Sequence, residues 1–157
     1  AAIQPILSCD IIVIACNTAT AISIKPLRQH YPSVHFVGFE PMVKPAAALT
    51  KSRHITLLAT NATKQSQRLC TLIDQYASDV RIDTPDTSTW AYMIDQGLTS
   101  DIMLNEVATS VAHGSDIIIL GCTHYLALEE RMRHQFPHCL IIEPTVNIAK
   151  RISDFAN

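Results

Sequence analysis

The sequence has little glycine and almost no net charge. It contains four glycines in 157 residues, and none of them stands in a G-x-G-x-x-G or P-loop pattern, so neither route to nucleotide binding is supported. Its 12 basic and 14 acidic residues leave a formal net charge of −2. A chain so close to neutral carries no electrostatic footprint for nucleic acid or for an anionic membrane, and we expect neither as a partner.

The sequence also lacks paired cysteines, a leader pattern and long apolar runs. Its five cysteines are odd in number and form no C-x-x-C pair, which argues against a secreted disulfide framework. No charged segment followed by a long apolar core stands near the first residue, so we expect no signal peptide. The longest apolar runs, Ile11–Cys16 and Ile117–Cys122, are far short of the roughly 20 residues that span a bilayer. We therefore expect a protein of the reducing cytoplasm.

Apolar residues make up 48% of the chain, against 17% charged, and they occur in short unbroken runs. Such runs of Ile, Val and Leu are typical of strands buried on both faces, as in a parallel sheet covered by helices. Apolar residues at helical spacing lie between them, as in 69–76 and 104–111. The pattern predicts an α/β fold with doubly wound parallel sheets. The predicted strands are Ile11–Ala15, Val34–Phe39, Ile55–Ala59, Ile117–Leu120 and Leu140–Ile142, with Val80–Ile82 as a weaker candidate and Asp83–Trp90 as a loop.

An internal repeat is the most informative feature. The run DIIVIACNT, which starts at Asp10, returns 106 positions later as DIIILGCTH, with Asp116 and Cys122 in the places of Asp10 and Cys16. Each copy is followed by a helical stretch, a second short strand and a Glu-Pro pair. We predict two β-turn-α-β units, each with a cysteine where the strand ends and the helix begins. Ligands bind at that edge of open α/β sheets, so we expect the two thiols to face one cleft.

Several chemistries could use these cysteines. A thiol has a pKa near 8.5, and a helix N-terminus lowers it by less than about one unit, so an acid–base partner such as His124 is needed. Cys122-x-His124 is too tight for usual zinc spacing, a Cys–His hydrolase would need a third oriented group, and a disulfide oxidoreductase normally has C-x-x-C. The plain alternative is that each cysteine merely packs well at a strand end. Two opposed thiols would suit proton transfer beside a carboxylate, as in a cofactor-independent racemase.

Four motifs carry a resemblance to a known family. Cys-Thr-His-Tyr in particular resembles glutamate racemase, within the pyridoxal-independent aspartate/glutamate racemase superfamily. The similarity covers essentially the whole chain. The motifs are Ala-Cys-Asn-Thr-Ala-Thr at 15–20, Gly-Cys-Thr-His-Tyr at 121–125, Gly-Phe-Glu-Pro at 38–41 with Lys-Pro-Ala at 44–46, and Ala-Thr-Asn-Ala-Thr at 59–63 with Ser66.

The resemblance implies roles for individual residues. Cys16 and Cys122 would be the two catalytic acid/bases, with His124 assisting Cys122 and with neither a metal nor pyridoxal phosphate. The groups that would hold the carboxylates and amino group of glutamate are Asn17, Thr18, Thr60, Thr63 and Thr123. For Thr60 and Thr63 the alternative is a helix N-cap, which any protein can use. The implied activity is interconversion of L- and D-glutamate, which supplies D-glutamate for peptidoglycan.

The sequence also departs from the family's pattern. Leu126 stands where the family usually has proline, and Asp95 stands where it often has glutamate. Asp95 is shorter by one methylene, which leaves open whether it supports the site, and the plain interpretation is a solvated residue near a helix C-terminus. An opening Asp-Ser-Gly-x-Gly-Gly turn is absent, and with it the expected partner of the first cysteine. We therefore expect a racemase without its N-terminal segment. In that arrangement 45–122 form a complete second lobe, and 1–44 with 123–157 form an incomplete first one.

Two rivals stay open. One is another racemase of the superfamily, such as an aspartate racemase. The other is a non-catalytic remnant of the fold, nearly inactive and prone to associate through exposed apolar surface. Glutamate is the expected small-molecule partner, and a homodimer is left open.

Overall fold

The computed structural model describes residues 8–156, so residues 1–7 of the expected first lobe and Asn157 lie outside it. The strands are β1 (Ile11–Ile14), β2 (His35–Gly38), β3 (His54–Leu58), β4 (Arg81–Asp83), β5 (Ile117–Leu120) and β6 (Leu140–Ile142). The helices are α1 (Asn17–His30), α2 (Val43–Leu49), α3 (Asn61–Lys64), α4 (Gln67–Tyr76), α5 (Trp90–Asp95), α6 (Asn105–Ala112), α7 (Glu129–Gln135) and α8 (Thr145–Ala156), with 3₁₀ helices at Thr99–Asp101 and Thr123–Leu128.

The chain divides into two compact units. The first unit comprises the residues up to Glu40 together with those from Pro144 onward, and the second comprises Pro41–Glu143. This division differs from the expected boundary after residue 122. The reason is β6, which pairs in parallel with β5 and thereby keeps residues 123–143 with the second unit.

The second unit is built on a four-stranded parallel sheet in the order β4-β3-β5-β6. All residues of β3 and β5 are buried, as their unbroken apolar runs predict. Successive side chains of β5 enter two different core clusters: Ile117 and Ile119 pack with α2 and α4, whereas Ile118 and Leu120 pack with α6 and α7. Helices therefore cover both faces of this sheet.

The first unit contains the parallel pair β1-β2 with α1 and α8. Gly38 permits α1 to lie close to β2, since a Cβ at this position would come within 2.3 Å of the Thr20 methyl carbon. On α8, the Phe155 ring stacks on His35 of β2 with 4.3 Å between ring centroids. Both α1 and α8 therefore pack against β2.

The structure confirms the predicted α/β class with parallel sheets. Five predicted strands agree with the observed ones to within one residue at each end, and the weaker candidate Val80–Ile82 corresponds to β4, one residue further on. The two segments of helical periodicity fall on α4 and α6. Within residues 8–156, no helix has the length and apolar character needed to cross a membrane.

Candidate functional site

Both cysteines of the repeat occupy the same local geometry. Cys16 follows β1 and precedes α1 with backbone angles φ −155° and ψ 123°. Cys122 follows β5 and precedes the 3₁₀ helix with φ −140° and ψ 136°. Each is an extended residue at the N-cap of a helix, which confirms the predicted position of both cysteines between a strand and a helix.

The repeat extends beyond the two cysteine motifs to the hydrogen bonds around them. The peptide N–H of His35 donates to the Asp10 carbonyl at 2.9 Å, and that of Leu140 donates to the Asp116 carbonyl at the same distance. In each copy of the repeat an arginine guanidinium also donates a hydrogen bond to a carbonyl of the strand that follows. Arg28 donates to Phe36 of β2 at 2.7 Å, and Arg133 donates to Ile141 of β6 at 3.5 Å. A sequence signal existed, since each arginine precedes an aromatic-Pro pair, at 31–32 and 136–137.

The imidazole of His124 lies beside Cys122 in the same turn. The thiol belongs to a residue only 8% exposed, and Sγ lies 3.7 Å from Nδ1 of His124. The other ring nitrogen, Nε2, lies 3.3 Å from Oδ1 of Asp95 at the end of α5. A carboxylate accepts only, so this contact favours the tautomer with the proton on Nε2, in which Nδ1 can accept the thiol proton. The geometry suits reversible proton exchange between Cys122 and His124.

Asp95 therefore does more than its sequence position indicated. It does end a helix and its side chain is 62% exposed, in agreement with the expectation of a solvated residue. Its carboxylate also lies within 3.3 Å of the imidazole of His124. An exposed pair of this kind is worth about 0–1 kcal/mol. Leu126, in the place of the usual proline, is half-buried and packs against the core cluster that contains Tyr125.

Thr60 and Thr63 form a helix cap at the neighbouring strand end. Oγ1 of Thr60 accepts the Thr63 peptide N–H at 3.3 Å, and it donates to the Thr63 hydroxyl at 3.1 Å. Thr60 is the N-cap of α3, as its alternative interpretation predicts, and Thr63 is buried. β3 and β5 pair in register up to Leu58 and Leu120, so the Thr60 turn and the Cys122 turn leave the same edge of the sheet.

Gly121 permits the close approach of these two strand ends. Its peptide N–H donates to the Leu58 carbonyl at 2.7 Å, and a Cβ at position 121 would come within 2.8 Å of that same oxygen. The corresponding residue of the first unit, Ala15, carries a Cβ. A Cβ is therefore accommodated before the first cysteine, whereas at position 121 it would be crowded.

The remaining predicted site residues lie at helix starts. Thr123 begins the 3₁₀ helix after Cys122 and is half-buried. Asn17 and Thr18 begin α1 in the first unit, Asn17 being buried and Thr18 half-buried. Peptide N–H groups at helix starts are suited to bind carboxylates. Across residues 8–156, no group of three or more His, Cys, Asp or Glu side chains is arranged to hold a metal ion.

Similarity to known proteins assigns the chain to a family. The model of the Asp/Glu/Hydantoin racemase family matches residues 2–152. This chain belongs to that family. A curated glutamate racemase of Ectopseudomonas mendocina is 37% identical over 147 residues, which is 90% of this chain and 56% of the relative. One of Pseudomonas entomophila is 40% identical over 146 residues, covering 89% of this chain and 55% of the relative.

Solved structures give the same family and fold. Escherichia coli glutamate racemase, in complex with L-glutamate and the activator UDP-MurNAc-Ala, has a TM-score of 0.82 and 27% identity, covering 98% of this chain and 60% of that one. Picrophilus torridus aspartate racemase has a TM-score of 0.57 at 19% identity, covering 85% and 56%, and shares the fold. The chain spans about half the length of the curated relatives it matches.

Proposed function

We propose that this protein is an amino-acid racemase that interconverts L- and D-glutamate. The observation that carries the proposal is the contact of Cys122 with His124, which in turn lies beside Asp95. A thiol beside an imidazole that can take its proton is suited to abstract and return a proton at carbon. The names of the relatives and of the Escherichia coli structure support glutamate as the substrate.

The proposed reaction moves two protons and needs no change of oxidation state. One cysteine thiolate removes the α-proton from one face of the amino acid, and the thiol of the other cysteine gives its proton to the opposite face. In the reverse direction the two exchange roles. We assign these roles to Cys122, with His124 as its acid–base partner, and to Cys16. Neither a metal nor pyridoxal phosphate takes part in this scheme.

The substrate-holding groups are proposed from their positions at helix starts. Peptide N–H groups and short hydroxyl or amide side chains at such positions donate hydrogen bonds to carboxylates. The Thr60–Thr63 cap leaves the sheet at the same edge as Cys122, which supports its role in binding. The proposed set is Asn17, Thr18, Thr60, Thr63 and Thr123.

The biological setting follows from the proposed activity. Bacterial cell-wall peptidoglycan contains D-glutamate, so we propose a role in its supply. We also propose a cytoplasmic location, since an odd number of cysteines with no C-x-x-C pair is typical of a protein of a reducing compartment. Glutamate is the proposed small-molecule partner, and a homodimer remains a candidate assembly.

The test is α-proton exchange with solvent deuterium, measured for the natural gene product with L- and D-glutamate and with L- and D-aspartate. We expect exchange with both glutamate enantiomers in the wild-type protein. Racemisation, which needs both thiols, should be at least about 100-fold slower in Cys122→Ser and in Cys16→Ser, although the remaining thiol can still exchange the α-proton of one enantiomer. Cys70→Ser is the matched control, since Cys70 is an exposed cysteine on α4. Wild-type racemisation rates in either catalytic variant would refute the two-thiol scheme.

The same experiment separates the rivals. Exchange with aspartate and none with glutamate would identify another racemase of the family. Absence of exchange with all four amino acids, in protein that is folded, would identify a non-catalytic member of the fold.

A further inference from the structure

Thr87 is an almost completely buried polar residue of the loop between β4 and α5. Thr87 is 1% exposed, whereas its neighbours Asp86 and Ser88 are exposed. Its hydroxyl donates to the carbonyl of Ala59 at 2.8 Å. Ala59 directly precedes the Thr60 cap, so the Thr87 side chain is fastened to the chain that enters the Thr60–Thr63 turn.

The backbone of Thr87 reaches the other turn. Its carbonyl accepts the phenol O–H of Tyr125 at 3.0 Å, and the Tyr125 peptide N–H donates to the Cys122 carbonyl at 3.0 Å. Tyr125 is fully buried, with its ring edge-on to Trp90 at 5.6 Å between centroids. Burial raises the pKa of Tyr125 to about 12, so its phenol stays protonated and keeps donating.

We propose that Thr87 is a positioning residue, which sets the spacing between the Cys122 turn and the Thr60–Thr63 turn. The link runs from the Cys122 carbonyl through Tyr125 to Thr87 and on to Ala59 by three hydrogen bonds. This proposal rests on the proposed function, in which one turn moves the proton and the other holds the substrate.

The loop that carries Thr87 is itself held in place. The Lys64 amine, at the end of α3, hydrogen-bonds the Pro85 carbonyl, and the Asp86 peptide N–H donates to Glu106 at 2.7 Å. Both anchors lie directly before Thr87 in the loop. Because the loop is fastened, a change at the Thr87 hydroxyl alters one bond of the link and leaves the loop attached.

The spacing between the Cys122 turn and the Thr60–Thr63 turn affects the rate of racemisation more than the binding of substrate. A displacement of about 1 Å between a substrate and its acid–base group can cost about 100-fold in rate. Substrate can still bind when the two turns shift apart, since the Thr60 cap itself is preserved. The expected signature is therefore a fall in kcat with little change in KM.

Thr87→Val tests the proposal in the natural gene product, since it removes the hydroxyl and keeps the shape. We expect kcat for glutamate racemisation to fall by about 10-fold or more while KM changes by less than about threefold. Thr87→Ser restores the hydroxyl and should recover kcat to within about twofold. Thr71→Val is the matched control, because the Thr71 hydroxyl donates to a carbonyl within α4, at the exposed surface.

A second measurement does not depend on racemisation. Cys122 alkylation by iodoacetamide, located by mass spectrometry, should be at least about threefold faster in Thr87→Val, since a loosened turn exposes the thiol. Alkylation of Cys70 on α4 should be unchanged in the same sample, which excludes general unfolding.

Each outcome decides the proposal. If Thr87→Val keeps kcat and the Cys122 alkylation rate within twofold of wild type, the positioning role is refuted. If Thr87→Ser is as impaired as Thr87→Val in both measurements, methyl packing and not the hydroxyl link is responsible, which refutes it too. If wild-type protein does not racemise glutamate, the proposed function fails and the alkylation rates alone decide the role of Thr87.

Discussion

The two copies of the repeat share a backbone and differ in their surroundings. β5 pairs with β3 on one side and β6 on the other, and all four of its residues are buried. Within residues 8–156, β1 pairs with β2 alone, and its residues are half-buried or exposed. The cysteine after β5 is buried, whereas Cys16, after β1, is exposed.

The difference separates local from tertiary causes. Both cysteines are extended N-cap residues, because the same sequence pattern ends a strand and starts a helix in each copy. Burial and side-chain contacts come from distant segments: Asp95, which lies 3.3 Å from His124, belongs to α5. A repeat in sequence therefore predicts where a thiol lies on its turn, but not the environment of that thiol.

The largest expected effect is a difference in lost stability between matched positions of β5 and β1. Ile119→Ala should lower the free energy of unfolding of the second unit by about 2–5 kcal/mol, since Ile119 is fully buried and leaves a cavity. Val13, its counterpart, is 39% exposed, so Val13→Ala should cost less than about 1 kcal/mol.

Urea unfolding measures both effects. Fluorescence of Trp90, the single tryptophan and a buried residue of the second unit, reports on Ile119→Ala. Far-UV circular dichroism measures the unfolding of Val13→Ala. Equal losses at the two positions would show that β1 is as well covered as β5 and would remove the contrast.

A smaller effect is expected at the residues that precede the cysteines. Gly121→Ala should destabilise the second unit by about 1–3 kcal/mol, because its Cβ meets the Leu58 carbonyl oxygen, a backbone atom that cannot easily give way. Ala15→Gly, the reverse exchange in the first unit, should cost at most about 1 kcal/mol. Thermal unfolding of both variants checks this, and tolerance of alanine at 121 would contradict the close approach of the two strand ends.

The smallest effect concerns the aspartates that begin the repeat. Burial pushes the pKa of Asp116 up, but hydrogen bonds from the Thr50 hydroxyl and from the Ser52 and Lys51 peptides outweigh it and hold the pKa below its usual range. Asp116→Asn should cost about 1 kcal/mol at neutral pH. Asp10 is exposed, so Asp10→Asn should change stability by less than about 0.5 kcal/mol.

The pH dependence of this effect has a definite sign. A carboxyl with a lower pKa in the folded state binds fewer protons there than in the unfolded chain, so its stabilisation is present at neutral pH and is lost on acidification. The stability gap between wild type and Asp116→Asn should therefore narrow as the pH falls below about 4. Unfolding midpoints at several pH values measure it, and a gap that widens in acid would disprove the assignment.

Much of the fold could be predicted because its cause is local. Unbroken apolar runs favour strands, so β1, β2, β3, β5 and β6 were recognisable without a structure, whereas β4 was only a weak candidate. The division into units was not, since residues 123–143 follow Cys122 in sequence and join the second unit through the pairing of β6 with β5. Strand pairing depends on contacts between distant segments.

The candidate site divides in the same way. The Cys122–His124 pair and the Thr60 cap lie within a few residues of sequence, and the sequence pattern indicated both. Thr87 had no such signal, because a threonine in a polar loop looks like any other until the loop folds onto Ala59 and Tyr125.

By itself the sequence determined the alternation of strands and helices, the place of each cysteine on its turn and the resemblance to the racemase family. Only the tertiary structure decided that Cys122 is buried, that Asp95 reaches His124 and that Thr87 links two turns. The physical reason is the distance along the chain over which each interaction acts. Periodicity and capping act over a few residues, whereas burial and hydrogen bonding of a side chain depend on which distant segments pack against it.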